Sequence, residues 1–379
     1  MARTGENIYK RKDGRWEGRF IYTYKEDGKS KYKYVYAKTY AAVKNKLIQR
    51  QQSSETTMLQ IYTTYEKSKY EYWLNEWLAF KKLKIKDSTY IRYRNSIENH
   101  IKPYLGKYPI EKIGTSLMES FVAHLTTNGK LNGKGGLSAK TVSDILIIIK
   151  ESFQYARNHG VASTCNFDNI TLKKSVHEMR VLDYAEMQIL IGTLLKDTDL
   201  YKLGVFLCLF TGIRIGELCA LQWKNISVDN KTIKIEQTMQ RLQNNDSNGI
   251  QKTRVIITEP KSFASVRVIP IPDFVVDAIK PYQRKGNAYL LSGESKYYVE
   301  PRTMQNHFKK YLKDSGIEDA NFHALRHTFA TRCVEAGFDV KTLSEILGHS
   351  SVKITLDKYV HSSMDLKRMN MEKLQLAFP

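Results

Sequence analysis

Residues 211–218 read Thr-Gly-Ile-Arg-Ile-Gly-Glu-Leu, and residues 323–328 read His-Ala-Leu-Arg-His-Thr. The first run lies in an apolar stretch, where an unpaired charge is costly, so Arg214 needs a partner that Glu217 can supply three residues later. The second run places Arg326 three residues after a histidine, on the same face of a helix. Planar guanidinium groups suit the non-bridging oxygens of a phosphate. The two runs together therefore indicate a phosphate clamp.

Further residues in the same part of the chain complete a set that phosphodiester chemistry would require, and they are Lys261, His323, His349 and Tyr359. A phenol with a pKa of about 10 is a poor nucleophile at neutral pH, so an imidazole or the field of two arginines must favour its attack. Lys261 is predicted at the tip of a hairpin formed by strands at residues 252–259 and 266–271. The pattern indicates a site built around a tyrosine nucleophile.

These runs, with the segment Pro-Lys-Ser-Phe-Ala-Ser-Val-Arg-Val-Ile-Pro around the lysine, resemble the tyrosine recombinases, also called phage-type integrases. The resemblance implies that both arginines bind the scissile phosphate while Tyr359 attacks phosphorus, forming a 3′-phosphotyrosyl link and freeing a 5′-hydroxyl. The resemblance also implies that His323 is a general base or phosphate ligand and that His349 donates a hydrogen bond to the transition state. It further implies that Lys261 is the general acid for the leaving oxygen and that Glu217 supports the first arginine. The link stores the bond energy, so no cofactor and no metal are expected.

Two other patterns in this region are interpreted as structural. Asp183 and Glu186 form an Asp-x-x-Glu capping box that predicts the start of a helix. His327 follows Arg326 directly and is therefore turned about 100° away from it on a helix. We interpret His327 as structural.

The first 50 residues hold 14 Lys or Arg and 5 Asp or Glu, a net charge of +9. Their period-two pattern predicts strands at residues 8–11, 15–24 and 30–36, followed by a helix from near Thr39. This segment resembles the amino-terminal arm-binding domain of conjugative-transposon and phage integrases. We therefore expect a three-stranded sheet with one helix packed on it.

Strand alternation is interpreted as giving this sheet one aromatic face and one cationic face. The aromatic face is predicted to lie under the helix, with Tyr32, Tyr34 and Tyr36 of the third strand beside Trp16 and Phe20 of the second. The bare cationic face suits a DNA major groove, whereas a solvated charged face is the alternative. Its predicted DNA contacts are Arg15, Arg19, Lys31 and Lys33.

A polar linker with some helical character is predicted at residues 51–69, followed by four helices that resemble the core-binding domain of the family. Its predicted phosphate contacts, each of which could instead be an ordinary solvated side chain, are Lys82, Lys84, Arg92 and Arg94. The expected fold is α+β and multidomain, with a mostly α-helical catalytic domain that carries a small β-sheet. The predicted domains are an arm-type DNA-binding domain with its linker, a helical SAM-like core-binding domain and the catalytic domain, at residues 1–65, 66–172 and 173–379.

The whole chain of 379 residues has 60 Lys or Arg against 39 Asp or Glu, a net charge of +21. Such a charge is expected of a protein that neutralises phosphates, with a merely basic globular protein as the alternative. Four scattered cysteines and the lack of an apolar leader or bilayer-spanning run predict a cytoplasmic protein with no membrane partner. The resemblance implies a bacterial, nucleoid-associated protein. The resemblance implies double-stranded DNA with core and arm att sites, a homotetramer in the synaptic complex, and an excisionase and a host DNA-bending protein as candidate partners.

The predicted function is site-specific recombination that integrates or excises a mobile element, a conjugative transposon or a prophage. Two other classes stay open. A type IB topoisomerase shares the chemistry but relaxes supercoils, and a DNA-binding regulator with the same fold would lack the chemistry. The tail at residues 364–378 is predicted to dock on a neighbouring protomer, and packing on its own domain is the alternative.

Overall fold

The computed structural model describes residues 7–24, 30–168, 170, 172, 179–244, 252–260, 263–284, 286–359 and 371–372. The chain divides into two compact units, Met1–Ser175 and Val176–Pro379. The division into three domains stays a prediction. Within the described residues, no helix is long and apolar enough to cross a membrane. The fold is mixed α and β, with a small amino-terminal sheet and a mostly helical second unit, as predicted.

The first unit begins with an antiparallel sheet in the order β1-β2-β3. Its strands are β1 (Ile8–Lys10), β2 (Trp16–Tyr24) and β3 (Ser30–Ala37), close to the predicted bounds. Helix α1 (Tyr40–Ser68) follows, capped by the Thr39 hydroxyl, which accepts from the backbone N–H of Ala42 at 3.2 Å. Most of the predicted linker is thus helical, because the backbone of α1 continues unbroken to Ser68.

The helix packs closely on β2 at a glycine. A Cβ atom added to Gly18 would lie 2.4 Å from the Leu47 side chain and 2.9 Å from that of Val43, so a larger residue would have to displace these side chains. Val43 and Leu47 are both buried. One face of the sheet is therefore covered by α1.

The predicted composition of the two faces is wrong for β3. The register pairs Arg19 with Tyr34 and Phe20 with Lys33, and directly paired residues of an antiparallel sheet lie on the same face. The tyrosines of β3 therefore share the open face with Arg19, whereas Lys33 shares the face of Phe20. Alternation orders the faces within each strand, but the register between strands decides which faces coincide.

The open face is consequently both aromatic and cationic. The Arg19 guanidinium lies 5.1 Å from the ring centre of Tyr32 and 5.9 Å from that of Tyr9. Tyr34 is 50% exposed on this face. Arg15 precedes β2 and pairs with Asp13 at 2.8 Å, so it is held by the turn. The four cations predicted to share one face do not do so.

Five longer helical segments follow in the first unit, besides a short 3₁₀ helix (Ile110–Lys112). They are α2 (Tyr70–Lys82), α3 (Asp87–Ser96), a π-helix (Ile97–Gly106), α4 (Thr115–Asn128) and α5 (Ala139–Asn158). Four of them are α-helices, as predicted. The π-helix was not predicted. The core of this bundle includes Leu74, Trp77, Phe121 and Phe153.

The second unit is mostly helical. Its helices are α6 (Tyr184–Leu195), α7 (Leu200–Thr211), α8 (Ile215–Ala220), α9 (Asp273–Ile279), α10 (Pro301–Asp314), α11 (His323–Glu335), α12 (Val340–Leu347) and α13 (Val352–Tyr359). Both halves of the predicted capping box are present, because Asp183 accepts from the N–H of Glu186 and Glu186 accepts from that of Asp183. The start of α6 is therefore confirmed.

Two small sheets lie in this unit. One has the order β4-β5-β8, and the other is the pair β6-β7; the strands are β4 (Ile226–Ser227), β5 (Thr232–Ile235), β6 (Thr238–Gln243), β7 (Thr253–Thr258) and β8 (Arg267–Pro270). The predicted hairpin is wrong, since β7 pairs with β6 and β8 pairs with β5. The segment between β7 and β8 carries the chain from one sheet to the other. Lys261 itself lies outside the described residues.

Candidate active site

Arg214 and Glu217 form the predicted pair at the start of α8. The Arg214 guanidinium donates to one carboxylate oxygen of Glu217 at 2.7 Å, and its backbone N–H donates to the other at 2.9 Å. The guanidinium also donates to the Gly348 carbonyl at 3.0 Å. These contacts fix the arginine at the N-terminus of α8 while leaving a third of its side chain exposed.

Glu217 also binds a second arginine that was not predicted. Arg267 on β8 donates to both oxygens of the carboxylate, at 2.9 and 3.2 Å, and to the Ile346 carbonyl at 2.5 Å. Burial disfavours the charged form of Glu217, but Arg267 and Arg214 outweigh it and hold the pKa of the carboxyl below its usual value. The carboxylate therefore joins α8 to β8 and keeps Arg214 in place.

Arg326 on α11 is buried, with 2% of its surface exposed. It donates to the Gly212 carbonyl at 2.8 Å and to the Leu347 carbonyl at 2.7 Å. Gly212 adopts a left-handed backbone conformation, and Phe329 would lie 2.5 Å from an added Cβ, so glycine is needed there. Burial and the nearby charge of Arg214 lower the pKa of Arg326 to about 9. A bound anion would relieve this unfavourable crowding of positive charge.

Tyr359 ends α13 with its ring buried beside the side chains of α11 and α12, 6% exposed. Its hydroxyl oxygen lies 2.8 Å from Nδ1 of His327. Burial raises the pKa of the Tyr359 phenol, and the charges of Arg326 and Arg214 act in the opposite direction. His327, interpreted from the sequence as structural, thus contacts the predicted nucleophile.

The two predicted histidines occupy other positions around this phenol. His349 has its ring parallel to that of Tyr359, with 6.3 Å between ring centres, and its Nδ1 lies 2.8 Å from the Thr355 hydroxyl. His323 is exposed, and its ring meets the ring of His327 edge-on at 4.5 Å. Burial and nearby positive charges lower the pKa of His327 to about 4 and that of His349 to about 3, so both are neutral.

The predicted phosphate contacts of the first unit lie on its surface. Lys84 is 4.2 Å from the ring centre of Phe80, and Lys82 is 5.5 Å from that of Tyr90. Arg92 lies 3.9 Å from Asp144 and is exposed, whereas Arg94 is half-buried. Among the described residues, no cluster of three or more histidine, cysteine or acidic side chains could hold a metal ion.

Comparison with known families decides the identity of the chain. The profile described as the phage integrase family matches residues 180–365, and that of the phage integrase N-terminal SAM-like domain matches residues 69–126. The chain belongs to the phage integrase family of tyrosine recombinases. It is a site-specific recombinase of the integrase type, an enzyme that cleaves and rejoins DNA.

Similar proteins cover most of this recombinase. A XerC-like tyrosine recombinase from Caldanaerobacter subterraneus subsp. tengcongensis is 28% identical over 77% of this chain and 79% of its own length. The ICEBs1 integrase of Bacillus subtilis is 25% identical over 79% of this chain and 80% of its own length. Both alignments extend well beyond the catalytic region.

Solved structures share the fold. The Tn1549 transposon integrase in complex with a circular intermediate DNA has a TM-score of 0.65, with 23% identity over 81% of this recombinase and 99% of that chain. A lambda integrase tetramer bound to a Holliday junction has a TM-score of 0.55, with 18% identity over 96% of this recombinase and all of that chain. The fold of the recombinase is thus that of the integrases.

Proposed function

We propose that this recombinase cuts double-stranded DNA at core sites with Tyr359 as the nucleophile and so integrates or excises a mobile element. One observation carries the proposal: the buried phenol of Tyr359 meets an imidazole at 2.8 Å within the positive field of Arg326 and Arg214. Attack on phosphorus would leave a 3′-phosphotyrosyl link and a free 5′-hydroxyl. The element would be a conjugative transposon or a prophage.

The two arginines would bind the non-bridging oxygens of the scissile phosphate. At rest, Arg326 is held by the carbonyls of Gly212 and Leu347, and Arg214 by Glu217 and the carbonyl of Gly348. Fixed guanidinium groups stabilise developing negative charge without reorganising during the reaction. Glu217 would orient Arg214 through the contacts described above.

The remaining roles complete the proposed chemistry. Because the Thr355 hydroxyl can donate to Nδ1 of His349, the ring proton of His349 can lie on Nε2 and be donated to the transition state. His323, exposed beside His327, would bind the phosphate. Lys261 would protonate the leaving 5′-oxygen, because an alkoxide is too basic to leave readily without a proton.

DNA is the proposed partner throughout. The net charge of +21 favours binding to a polyanion, and the related integrases named above were solved on DNA, one of them as a tetramer. We therefore propose a homotetramer on paired core sites in the bacterial nucleoid, with arm sites bound separately, and with an excisionase and a host DNA-bending protein as further partners. The predicted docking tail at residues 364–378 lies outside the described residues except for 371–372.

The decisive test of function compares strand exchange with relaxation. The core sites are identified first. The protein is incubated with genomic DNA of the source organism, and the DNA fragments that become covalently attached to it are sequenced. A supercoiled plasmid with two trapped sites should then give deletion or inversion products, whereas a plasmid without sites should stay supercoiled. Relaxation of the plasmid without sites at the same rate, with no recombinant product, would indicate a type IB topoisomerase.

The amino-terminal sheet is proposed as the arm-binding surface, with the open face in contact with DNA. That face carries Arg19 among Tyr9, Tyr32 and Tyr34, so cations and aromatic rings would contact DNA together. Lys33, on the face that α1 partly covers, supplies a matched control.

Arg19→Ala is expected to weaken arm-DNA binding and to reduce the slope of log affinity against log salt by about 1, because one phosphate contact is lost. Lys33→Ala should have a smaller effect, and core-site cleavage should persist in both variants. Binding is measured by fluorescence anisotropy over a salt series. If Lys33→Ala weakened arm-DNA binding as much as Arg19→Ala or more, the opposite face of the sheet would be the one that binds DNA.

A further inference from the structure

His327 is a buried imidazole at the centre of the site to which the chemistry above assigns no role. Its Nδ1 lies 2.8 Å from the hydroxyl oxygen of Tyr359, and the two side chains are 9% and 6% exposed. Residue 327 is one position past Arg326 on α11, and its ring faces Tyr359 at the end of α13. The Arg326 side chain donates to the carbonyls of Gly212 and Leu347 and also interacts with Tyr359. This hydrogen bond joins an imidazole nitrogen directly to the oxygen of the proposed nucleophile.

The surroundings of His327 keep its ring unprotonated before DNA binds. Burial, and then the positive charges of Lys358 and Arg326, lower its pKa, so the ring is neutral at physiological pH. A neutral imidazole can accept the phenol hydrogen bond at Nδ1. When phosphate charge develops beside Arg326, the same surroundings become less positive, which favours the imidazolium form at the moment of attack.

The other two histidines are less suited to this task. His323 meets the ring of His327 edge-on and is exposed. His349 lies parallel to the ring of Tyr359, and its Nδ1 faces the Thr355 hydroxyl. Neither has the contact with the phenol oxygen that His327 makes.

We propose that His327, rather than His323, receives the phenol proton of Tyr359 during cleavage and returns it during rejoining. The O–H bond of Tyr359 breaks as its oxygen bonds to phosphorus, and the bond from phosphorus to the 5′-oxygen breaks as a separate acid protonates that oxygen. The proton of the phenol stays on His327 until the 5′-hydroxyl attacks the phosphotyrosyl link. This inference rests on the proposed role of Tyr359 as the nucleophile.

The test combines a variant that cannot hold the proton with a more acidic phenol. In His327→Asn the amide oxygen can take the place of Nδ1 as a hydrogen-bond acceptor but is not basic. The loss in single-turnover cleavage of a nicked duplex carrying the trapped core site should be about 10²–10⁴-fold, as for other general bases. Trifluorotyrosine at position 359, whose phenol ionises more readily, should raise the cleavage rate of His327→Asn by about tenfold or more.

His323→Asn is the matched control, and fluorination of Tyr359 should not restore its cleavage. A His327→Asn rate equal to that of the unchanged recombinase would overturn the proposal, and so would a loss that trifluorotyrosine does not relieve. Restoration in His323→Asn alone would assign the base to His323. His327→Gln replaces the asparagine variant if that variant fails to bind the core site. An unchanged recombinase that forms no adduct, or an adduct that survives Tyr359→Phe, would instead contradict the proposed function.

Discussion

Tyr359→Phe is expected to abolish the covalent protein–DNA adduct while leaving DNA binding nearly unchanged. The substitution removes the oxygen that would attack phosphorus but keeps the ring, which packs with Leu343 and Leu347 of α12 and Ala330 of α11. Adduct formation is measured on a nicked suicide duplex, where the cut fragment diffuses away and the covalent complex survives denaturing electrophoresis. The lost hydrogen bond to His327 should cost little binding, because it lies within the protein.

Tyr311→Phe supplies the control for a general effect of losing a buried phenol. Tyr311 is also buried in the second unit and also faces a histidine, with its hydroxyl 3.4 Å from Nδ1 of His307. This variant should form the adduct at close to the normal rate. Equal loss in both variants would show that tyrosine burial, rather than the nucleophile, had been tested.

The second large effect separates the proposed acid from the phosphate clamp. Lys261→Ala and Arg326→Ala should each slow cleavage by about 10²–10⁴-fold, the range for loss of an acid catalyst or of a transition-state charge partner. Replacing the scissile 5′-oxygen with sulfur creates a leaving group that departs as a thiolate without protonation. The sulfur substrate should therefore restore cleavage by Lys261→Ala and leave Arg326→Ala slow.

The comparison works because the two residues are proposed to act on different oxygens. Arg326 is anchored by two backbone carbonyls, so its loss removes a buried charge that leaving-group chemistry cannot replace. Restoration of both variants, or of neither, would contradict this division of roles.

Much of the site could be predicted because its determinants are local in sequence. Arg214 and Glu217 pair across one helical turn, and Asp183 and Glu186 cap a helix three residues apart. In the amino-terminal sheet, strand bounds follow from period-two alternation and turn residues. These features need no knowledge of distant parts of the chain.

What the sequence could not supply depends on contacts between distant elements. That Arg19 and Tyr34 share one face depends on the β2–β3 register. Strands β7 and β8 lie in different sheets because β7 pairs with β6 and β8 pairs with β5. Arg267 lies 50 residues from Glu217, with no local signal beyond a charge among the apolar residues of its strand.

His327 shows the same limit at the centre of the site. The predicted turn of about 100° from Arg326 directs His327 toward α13. That angle alone does not show that the Tyr359 side chain lies there. A histidine beside a known functional residue, on an otherwise buried face, is the signal that could have raised the question.

The most direct test of the account is chemical identification of the residue joined to DNA. The trapped adduct is digested with nuclease and protease, and the peptide that retains a nucleotide is sequenced by tandem mass spectrometry. We expect a phosphodiester between the Tyr359 oxygen and the 3′ end of the nucleotide. A nucleotide on any other residue, or one joined through its 5′ phosphate, would contradict it.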